Sequence, residues 1–157
     1  MKKVRIGSGA GYAGDRIEPA VDLMLNGNID YIVFECLAER TIAIAQQEKL
    51  KDPDKGYNGL LEYRFEKILP ICSEKKIKVI TNMGAANPLS AIKKIKSMAE
   101  AMGIKNLKLA AVLGDDISTH LGKYLDREIL ELGMPLKNLE DKLISANVYL
   151  GADGIVE

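Results

Sequence analysis

The chain has 157 residues, which is enough for one domain with a sizeable hydrophobic core. Its 22 basic and 22 acidic residues balance, and aromatic residues make up only 5% of the sequence, with no tryptophan. We expect no nucleic-acid partner, because a basic footprint and stacking residues are both lacking. The sequence contains no signal-peptide pattern and no bilayer-spanning apolar run, so we expect no membrane partner. Two cysteines do not indicate a disulfide framework, and we expect a reduced cytoplasmic protein.

The first element is a short apolar strand at residues 4–6, which leads into a glycine-rich loop. A helix is predicted to begin near Glu18, with Pro19 in its first turn, and to end at Gly27. The loop between strand and helix contains four glycines in eight residues: Gly7, Gly9, Gly11 and Gly14. Such a loop lets the backbone approach a ligand closely, and the N–H groups at a helix start favour an anionic one.

The glycine loop does not match the common nucleotide-binding fingerprints. The dinucleotide pattern needs a third glycine where Tyr12 stands, and no Gly-Lys-Ser/Thr follows to complete a phosphate-binding P-loop. The loop therefore predicts ligand contact without indicating a nucleotide, and the cofactor is unknown from the sequence. The alternative is a tight strand-to-helix turn that binds nothing.

The middle of the chain continues the alternation of strands and helices. Strands are predicted at residues 31–34 and 78–81, and helices at residues 39–50, 61–72 and 88–102. Asn87 is the predicted N-cap of the third of these helices. Pro70 should bend the second or split off its last turn.

The last third of the chain predicts two further strands, at residues 107–113 and 144–149. Residues 121–132 carry a helical apolar stripe between them, residues 136–142 are a short helical connector, and another helix begins at residue 155. The pattern predicts an α/β fold: an open, mainly parallel five-stranded sheet with helices on both faces, a Rossmann-like three-layer arrangement. This arrangement is favoured over a barrel, because a barrel needs about 250 residues.

Polar residues at the carboxyl ends of the strands are the candidates for a site, because ligands of open parallel sheets bind there. The predicted ligand-binding residues are Ser8, Gly9, Gly11, Arg40, Asn82 and Asn87, and the predicted catalytic residues are Glu35 and Asp115. The serine and glycines would hold an anionic group, the asparagines would orient a small-molecule substrate, and the acids would move protons. No metal site is predicted, because Asp115, Asp116 and His120 lack further ligands at a suitable spacing.

Several of these residues have structural alternatives. Glu35 could be a general base with a pKa raised by burial, or a carboxylate that caps a helix or pairs with Arg40. Cys36 could be a nucleophile, but a buried structural cysteine is favoured because His120 is the single histidine. Asn87 has a structural role as a helix cap in any case.

Long stretches of the sequence resemble the acyclic terpene utilisation family AtuA. The stretches are RIGSGAGYAGDR at residues 5–16, DYIVFECLAERT at residues 30–41, TNMGAANP at residues 81–88 and SANVYLGA at residues 145–152. The resemblance implies a bacterial cytoplasmic protein linked to the catabolism of acyclic terpenes such as citronellol and geraniol, through acyl-CoA intermediates. It does not supply a reaction.

Members of that family are longer than this chain. The resemblance therefore implies that residues 1–157 form a single α/β domain that is the N-terminal part of a longer family domain. Without the missing strands, the apolar surface on which they would pack is exposed. We therefore expect this surface to be covered in a homo-oligomer or by the missing C-terminal portion.

Two hypotheses follow for function. In the first, the chain is an enzyme or enzyme component that acts on a small carboxylate or acyl-CoA-type ligand at the strand ends. In the second, it is a non-catalytic ligand-binding or accessory module of the same fold. An enzyme should gather Glu35, Asp115 and Asn82 around one pocket, whereas a module could leave them dispersed.

Overall fold

The computed structural model describes residues 3–156, without the side chain of residue 140. The chain divides into two compact units, Met1–Ala111 and Val112–Glu157, and each is described by itself. The first unit contains strands β1 (Ile6–Ala10), β2 (Tyr31–Phe34) and β3 (Lys78–Thr81), and helices α1 (Glu18–Asn26), α2 (Glu39–Lys51), α3 (Leu61–Lys75) and α4 (Pro88–Ala101).

The three strands of the first unit form one parallel sheet in the order β1-β2-β3. Tyr31 pairs with Ile6 on one side and with Lys78 on the other, so the three strands begin in register. Their carboxyl ends, at Ala10, Phe34 and Thr81, therefore lie along one edge of the sheet. This edge is where the sequence predicted a site.

The hydrophobic core of the first unit lies on one face of the sheet. Ile32 and Phe34 of β2 are completely buried, whereas Tyr31 and Val33, which alternate with them, are half-buried. Helices α1, α3 and α4 supply many of the other core residues, which include Met24, Leu61, Phe65, Ile68, Ile95 and Ala99. A Rossmann-like arrangement with helices on both faces stays a prediction.

Most local expectations for the first unit are confirmed. Helix α1 begins at Glu18 with Pro19 in its first turn, and the Asn87 side chain caps α4 by accepting a hydrogen bond from the Ser90 N–H. Helix α3 runs through Pro70 without interruption to Lys75, so its last turn is not split off.

Strand β1 is longer than expected and includes two of the loop glycines. Gly7 pairs with Ile32, whereas Gly9 lies at an irregularity between Ser8 and Ala10 where the register of β1 against β2 shifts. The glycine loop is correspondingly shorter. A Cβ atom on Gly9 would lie 2.7 Å from the ring of Phe34. Gly9 is therefore explained by close packing of β1 on Phe34.

The five-stranded sheet is wrong, because the last third of the chain adds no strand to the parallel sheet. Residues 107–113 form no ladder; Leu107 and Leu109 pack against the core instead, and the Ala110-Ala111 pair has little strand preference. In residues 144–149, strand-like pairing is limited to an isolated antiparallel bridge between Asn147 and Asp116.

The predicted helix at residues 121–132 is also wrong. Ser118–Lys123 is a 3-10 helix, and it is followed by the antiparallel hairpin of β4 (Glu128–Ile129) and β5 (Met134–Pro135). Gly133 takes a φ of 60° in the hairpin turn, and Leu132, the last residue of the predicted apolar stripe, is 52% exposed, so packing does not stabilise a helix here. The second unit ends with a 3-10 helix (Leu136–Lys142) and the short helix α5 (Asp153–Val156).

Candidate ligand site at the carboxyl ends of the strands

Glu35 and Asn82 meet at the carboxyl edge of the sheet, as the topology predicts. The Asn82 Nδ2 atom donates to Glu35 Oε1 across 2.9 Å, and Asn82 Oδ1 accepts from the Cys36 N–H across 2.6 Å. Glu35 Oε1 also accepts from the Leu37 N–H, at 3.1 Å. Asn82, the residue after β3, thus fixes the backbone at Cys36, where the chain leaves β2. It also holds the exposed carboxylate of Glu35 beside that backbone. No ion pair joins Glu35 to Arg40, although the structure describes both residues.

A buried arginine, Arg64 of α3, lies beneath this edge and joins three segments. Its Nη1 atom donates to the Cys36 sulfur at 3.0 Å and to the Met83 sulfur at 3.5 Å. Its Nη2 atom donates to the backbone carbonyls of Ala13 and Asp15, at 3.1 and 2.6 Å. Arg64 is 1% exposed, and it forms no ion pair with a carboxylate among residues 3–156.

The environment of Cys36 keeps its thiol protonated. Burial raises the pKa of Cys36, and this effect outweighs the opposing effect of the Arg64 guanidinium. Cys36 is buried and is not in a disulfide, which agrees with the favoured reading of a structural cysteine. A thiol in this state is a weak nucleophile.

The glycine loop binds a carboxylate from its own sequence. Oδ2 of Asp15 accepts from the N–H groups of Gly11 and Tyr12, at 2.6 and 3.2 Å. Of the predicted anion-binding residues, Gly11 therefore already directs its N–H group at an anion. Because Arg64 holds the Ala13 and Asp15 carbonyls, the loop is fixed from both sides.

An open cleft of about 320 Å³ lies beside this network, within the range of small-molecule sites. We call it the sheet-edge cleft. Its lining comes from the glycine loop, the segment after β2, helix α2, the connector before α3 and the loop after β3: Ala13, Gly14, Cys36, Leu37, Thr41, Ile44, Ala45, Glu48, Tyr57, Asn58, Gly59, Leu60 and Ala85. Most of these side chains are apolar, so the cleft suits an apolar group.

Asn87 holds one wall of the sheet-edge cleft in place. Its Nδ2 atom donates to the carbonyls of Pro53 and Lys55, at 2.8 and 2.7 Å, while its Oδ1 atom caps α4 through the Ser90 N–H. These three bonds engage both ends of the amide. Asn87 therefore anchors the connector of residues 52–60, which carries four of the lining residues.

The remaining predicted site residues lie outside this network or in the second unit. Ser8 is an exposed residue within β1, and Arg40 is an exposed residue in the first turn of α2. Asp115 belongs to the second unit, where its carboxylate accepts from Asn147 Nδ2 at 2.9 Å. Their roles in binding and catalysis stay predictions.

Three features of the site were not predicted from the sequence: Arg64, Tyr57 and the role of Asp15. A signal for Arg64 was present, because residue 64 is one turn from Leu61 and from Ile68 and thus falls on the apolar stripe of α3. An arginine on a buried stripe indicates a polar contact in the core. No sequence pattern indicates that Asp15 turns back onto the loop.

Neither a bilayer-spanning helix nor a cluster of metal ligands occurs among the described residues. No helix within residues 3–156 combines the length and apolar character that crossing a bilayer requires. In the same part of the chain, no three histidine, cysteine or acidic residues cluster as metal ligands.

Comparison with known proteins identifies the family of the chain. No curated protein matches the chain, and no solved structure matches it. One family model, described as acyclic terpene utilisation family protein AtuA, matches residues 4–157. Because that match spans both units and nearly every residue, the chain belongs to the acyclic terpene utilisation family AtuA.

Proposed function

We propose that the chain binds a small acid with an apolar carbon chain, or its acyl-CoA-type thioester, in the sheet-edge cleft. The observation that carries the proposal is an apolar cleft at the carboxyl edge of a parallel sheet, bordered by a fixed polar network. The association of the family with acyclic terpene utilisation favours a branched, unsaturated hydrocarbon chain as the apolar part.

The polar network beside the cleft provides roles for several of the predicted site residues. Glu35 is an exposed carboxylate held by Asn82, and it precedes the cleft-lining residues Cys36 and Leu37 in the chain. We assign it the role of proton acceptor for a ligand in the cleft. Asn82 positions Glu35 and the backbone of Cys36. Asn87 acts on the ligand indirectly, through the connector. Gly11 would bind an anionic group only in place of the Asp15 carboxylate.

A pair of substitutions on α2 tests binding in the sheet-edge cleft. Ile44 lines the cleft and is 44% exposed, so Ile44→Asp places a charge in the apolar lining without burying it in the core. Leu50 lies on the same helix, is 70% exposed and does not line the sheet-edge cleft, so Leu50→Asp is the matched control.

The probe is citronellic acid, and the readout is calorimetric affinity with a thermal shift as a second measure. We expect Ile44→Asp to weaken binding about tenfold or more and Leu50→Asp to leave it unchanged. Equal affinities in the two variants, or no binding to the unsubstituted chain, would overturn the proposal.

The variant Glu35→Gln tests whether the chain is a catalyst or only binds the ligand. The glutamine oxygen can still accept from Asn82 and from the Leu37 N–H, so the local structure is retained while the proton acceptor is removed. If the chain is an enzyme, ligand consumption should fall at least about a hundredfold with little change in binding. Unchanged consumption rejects the role of Glu35, and binding without consumption in the unsubstituted chain favours the accessory module.

A further inference from the structure

A second cleft adjoins the sheet-edge cleft and continues away from the strands. Its volume is about 380 Å³, and we call it the connector cleft. The two clefts share Glu48, Tyr57 and Gly59 in their linings, so they meet at these residues. The other residues that line the connector cleft are Lys51, Asp52, Lys55 and Glu62.

The connector cleft differs in chemistry from the sheet-edge cleft, because most of its lining residues are charged. Lys55 and Lys94 approach Glu62 from two sides, with nitrogen-to-oxygen distances of 4.0 and 3.6 Å. The Tyr57 hydroxyl donates to the same carboxylate at 3.1 Å. Burial, together with the contact to Glu62, raises the pKa of Tyr57, so the phenol is a neutral donor.

The charges of the connector cleft nearly cancel. In addition to the charges of Glu62, Lys55 and Lys94, the lining contains two carboxylates, Glu48 and Asp52, and one ammonium group, Lys51. A lining with both signs interspersed has no strong net attraction for an anion or a cation. It offers many hydrogen-bond donors and acceptors, which suit an uncharged group rich in amides or hydroxyls.

We propose that one ligand occupies both clefts, with an apolar chain in the sheet-edge cleft and an uncharged, amide- or hydroxyl-bearing arm in the connector cleft. This inference rests on the proposed function, since it extends the same bound molecule past the junction. It specifies the ligand as amphipathic and gives its direction: the chain lies toward the strands, and the arm lies over the connector between α2 and α3.

Gly59 marks the junction and provides the variant for the test. A Cβ atom on Gly59 would meet nothing within 4 Å, so a side chain can start from this position, and Gly59→Leu is chosen to narrow the junction. Gly122 of the second unit also has open space at its Cβ and lines neither cleft, which makes Gly122→Leu the matched control. Thermal unfolding of both variants checks that the fold is retained.

The test compares citronellic acid with its N-acetylcysteamine thioester, which carries a short uncharged amide arm. We expect the thioester to bind the unsubstituted chain about tenfold more tightly than the acid. In Gly59→Leu this gain should vanish, so that the acid and the thioester bind that variant with affinities within about twofold of each other, while Gly122→Leu keeps the gain. Raising the salt from about 50 mM to about 500 mM should leave the thioester affinity within about twofold.

Each other outcome has a distinct meaning. Acid binding without a gain from the arm, or a gain that persists in Gly59→Leu, overturns the two-cleft inference and leaves the proposed function standing. A steep loss of thioester affinity with salt shows that charge dominates and overturns the uncharged arm. Failure of both probes to bind the unsubstituted chain overturns the proposed function and the inference together.

Discussion

Arg64 donates a hydrogen bond to the sulfur of Cys36 across 3.0 Å, and both residues are 1% exposed. The same guanidinium reaches the carbonyls of Ala13 and Asp15. One side chain of α3 thereby links the glycine loop to the segment after β2. The positions of two cleft-lining segments depend on a single buried cation.

Replacing Arg64 with methionine tests this dependence. The substitution removes two charge-assisted bonds to backbone carbonyls, and we expect the free energy of unfolding to fall by about 2–3 kcal/mol. Urea denaturation measures the change. Arg40→Met, at an exposed position of α2, is the control and should stay within about 0.5 kcal/mol of the unsubstituted chain. An equally stable Arg64→Met would mean that burial of the unpaired guanidinium cancels its hydrogen bonds.

The glycines at positions 9 and 11 should respond differently to alanine. A Cβ atom on Gly9 would lie 2.7 Å from the Phe34 ring, so we expect Gly9→Ala to destabilise the fold by about 1–3 kcal/mol. A Cβ atom on Gly11 would have one neighbour, the Asp15 carboxylate oxygen at 3.8 Å, so Gly11→Ala should stay within about 0.5 kcal/mol. Equal losses in urea denaturation would contradict the packing explanation for Gly9.

The sequence predicted the parts of the first unit whose structure is set by local signals. Pro19 marks the start of α1, Asn87 caps α4, and the β-branched run before Glu35 forms β2. The meeting of Glu35 with Asn82 followed from the parallel topology alone, because the carboxyl ends of adjacent parallel strands share an edge.

The strand predictions were wrong where an apolar segment has no neighbouring strand with which to pair. A strand requires hydrogen bonds from a neighbouring strand, which composition cannot reveal; residues 107–113 are apolar without making them. The contacts of Arg64 and Asp15 were missed for a related reason. Each depends on where a side chain ends in three dimensions, since the two carbonyls that accept from Arg64 are 49 and 51 residues away in sequence.

Cys72 should make stability depend on alkaline pH. Burial raises the pKa of its thiol from 9.0 to about 11. Below pH 9 the thiol is protonated in both the folded and unfolded chains; between pH 9 and 11 only the unfolded chain loses the proton, so stability falls as pH rises. The loss should be about 2–3 kcal/mol across this window. Urea denaturation at several pH values measures it.

The control for this pH dependence is Cys72→Ala. The substitution changes the stability at every pH, so the informative quantity is the slope of stability against pH between 9 and 11. That slope should be shallower than in the unsubstituted chain. It should not vanish, because burial also raises the pKa of Cys36. Identical slopes would show that Cys72 titrates alike in the folded and unfolded chains.

Asn87 combines a helix cap with an anchor for the connector, and two substitutions separate these roles. Asn87→Ala removes both, and we expect it to lower the free energy of unfolding by about 2–4 kcal/mol. Asn87→Asp keeps an oxygen to cap α4 but loses the N–H donors, so its carboxylate would face the carbonyls of Pro53 and Lys55.

Hydrogen exchange distinguishes the two losses residue by residue. The Lys55 and Asn58 N–H groups, which bond to Asp52 and Met83, should exchange faster in both variants because the connector is released. The Ser90 N–H should exchange faster only in Asn87→Ala, because aspartate still caps the helix. Unchanged exchange in the connector of Asn87→Asp would show that the connector holds its position without Asn87. In that case Asn87 would be a helix cap alone, and the cleft wall would depend on the Asn58 contact to Met83.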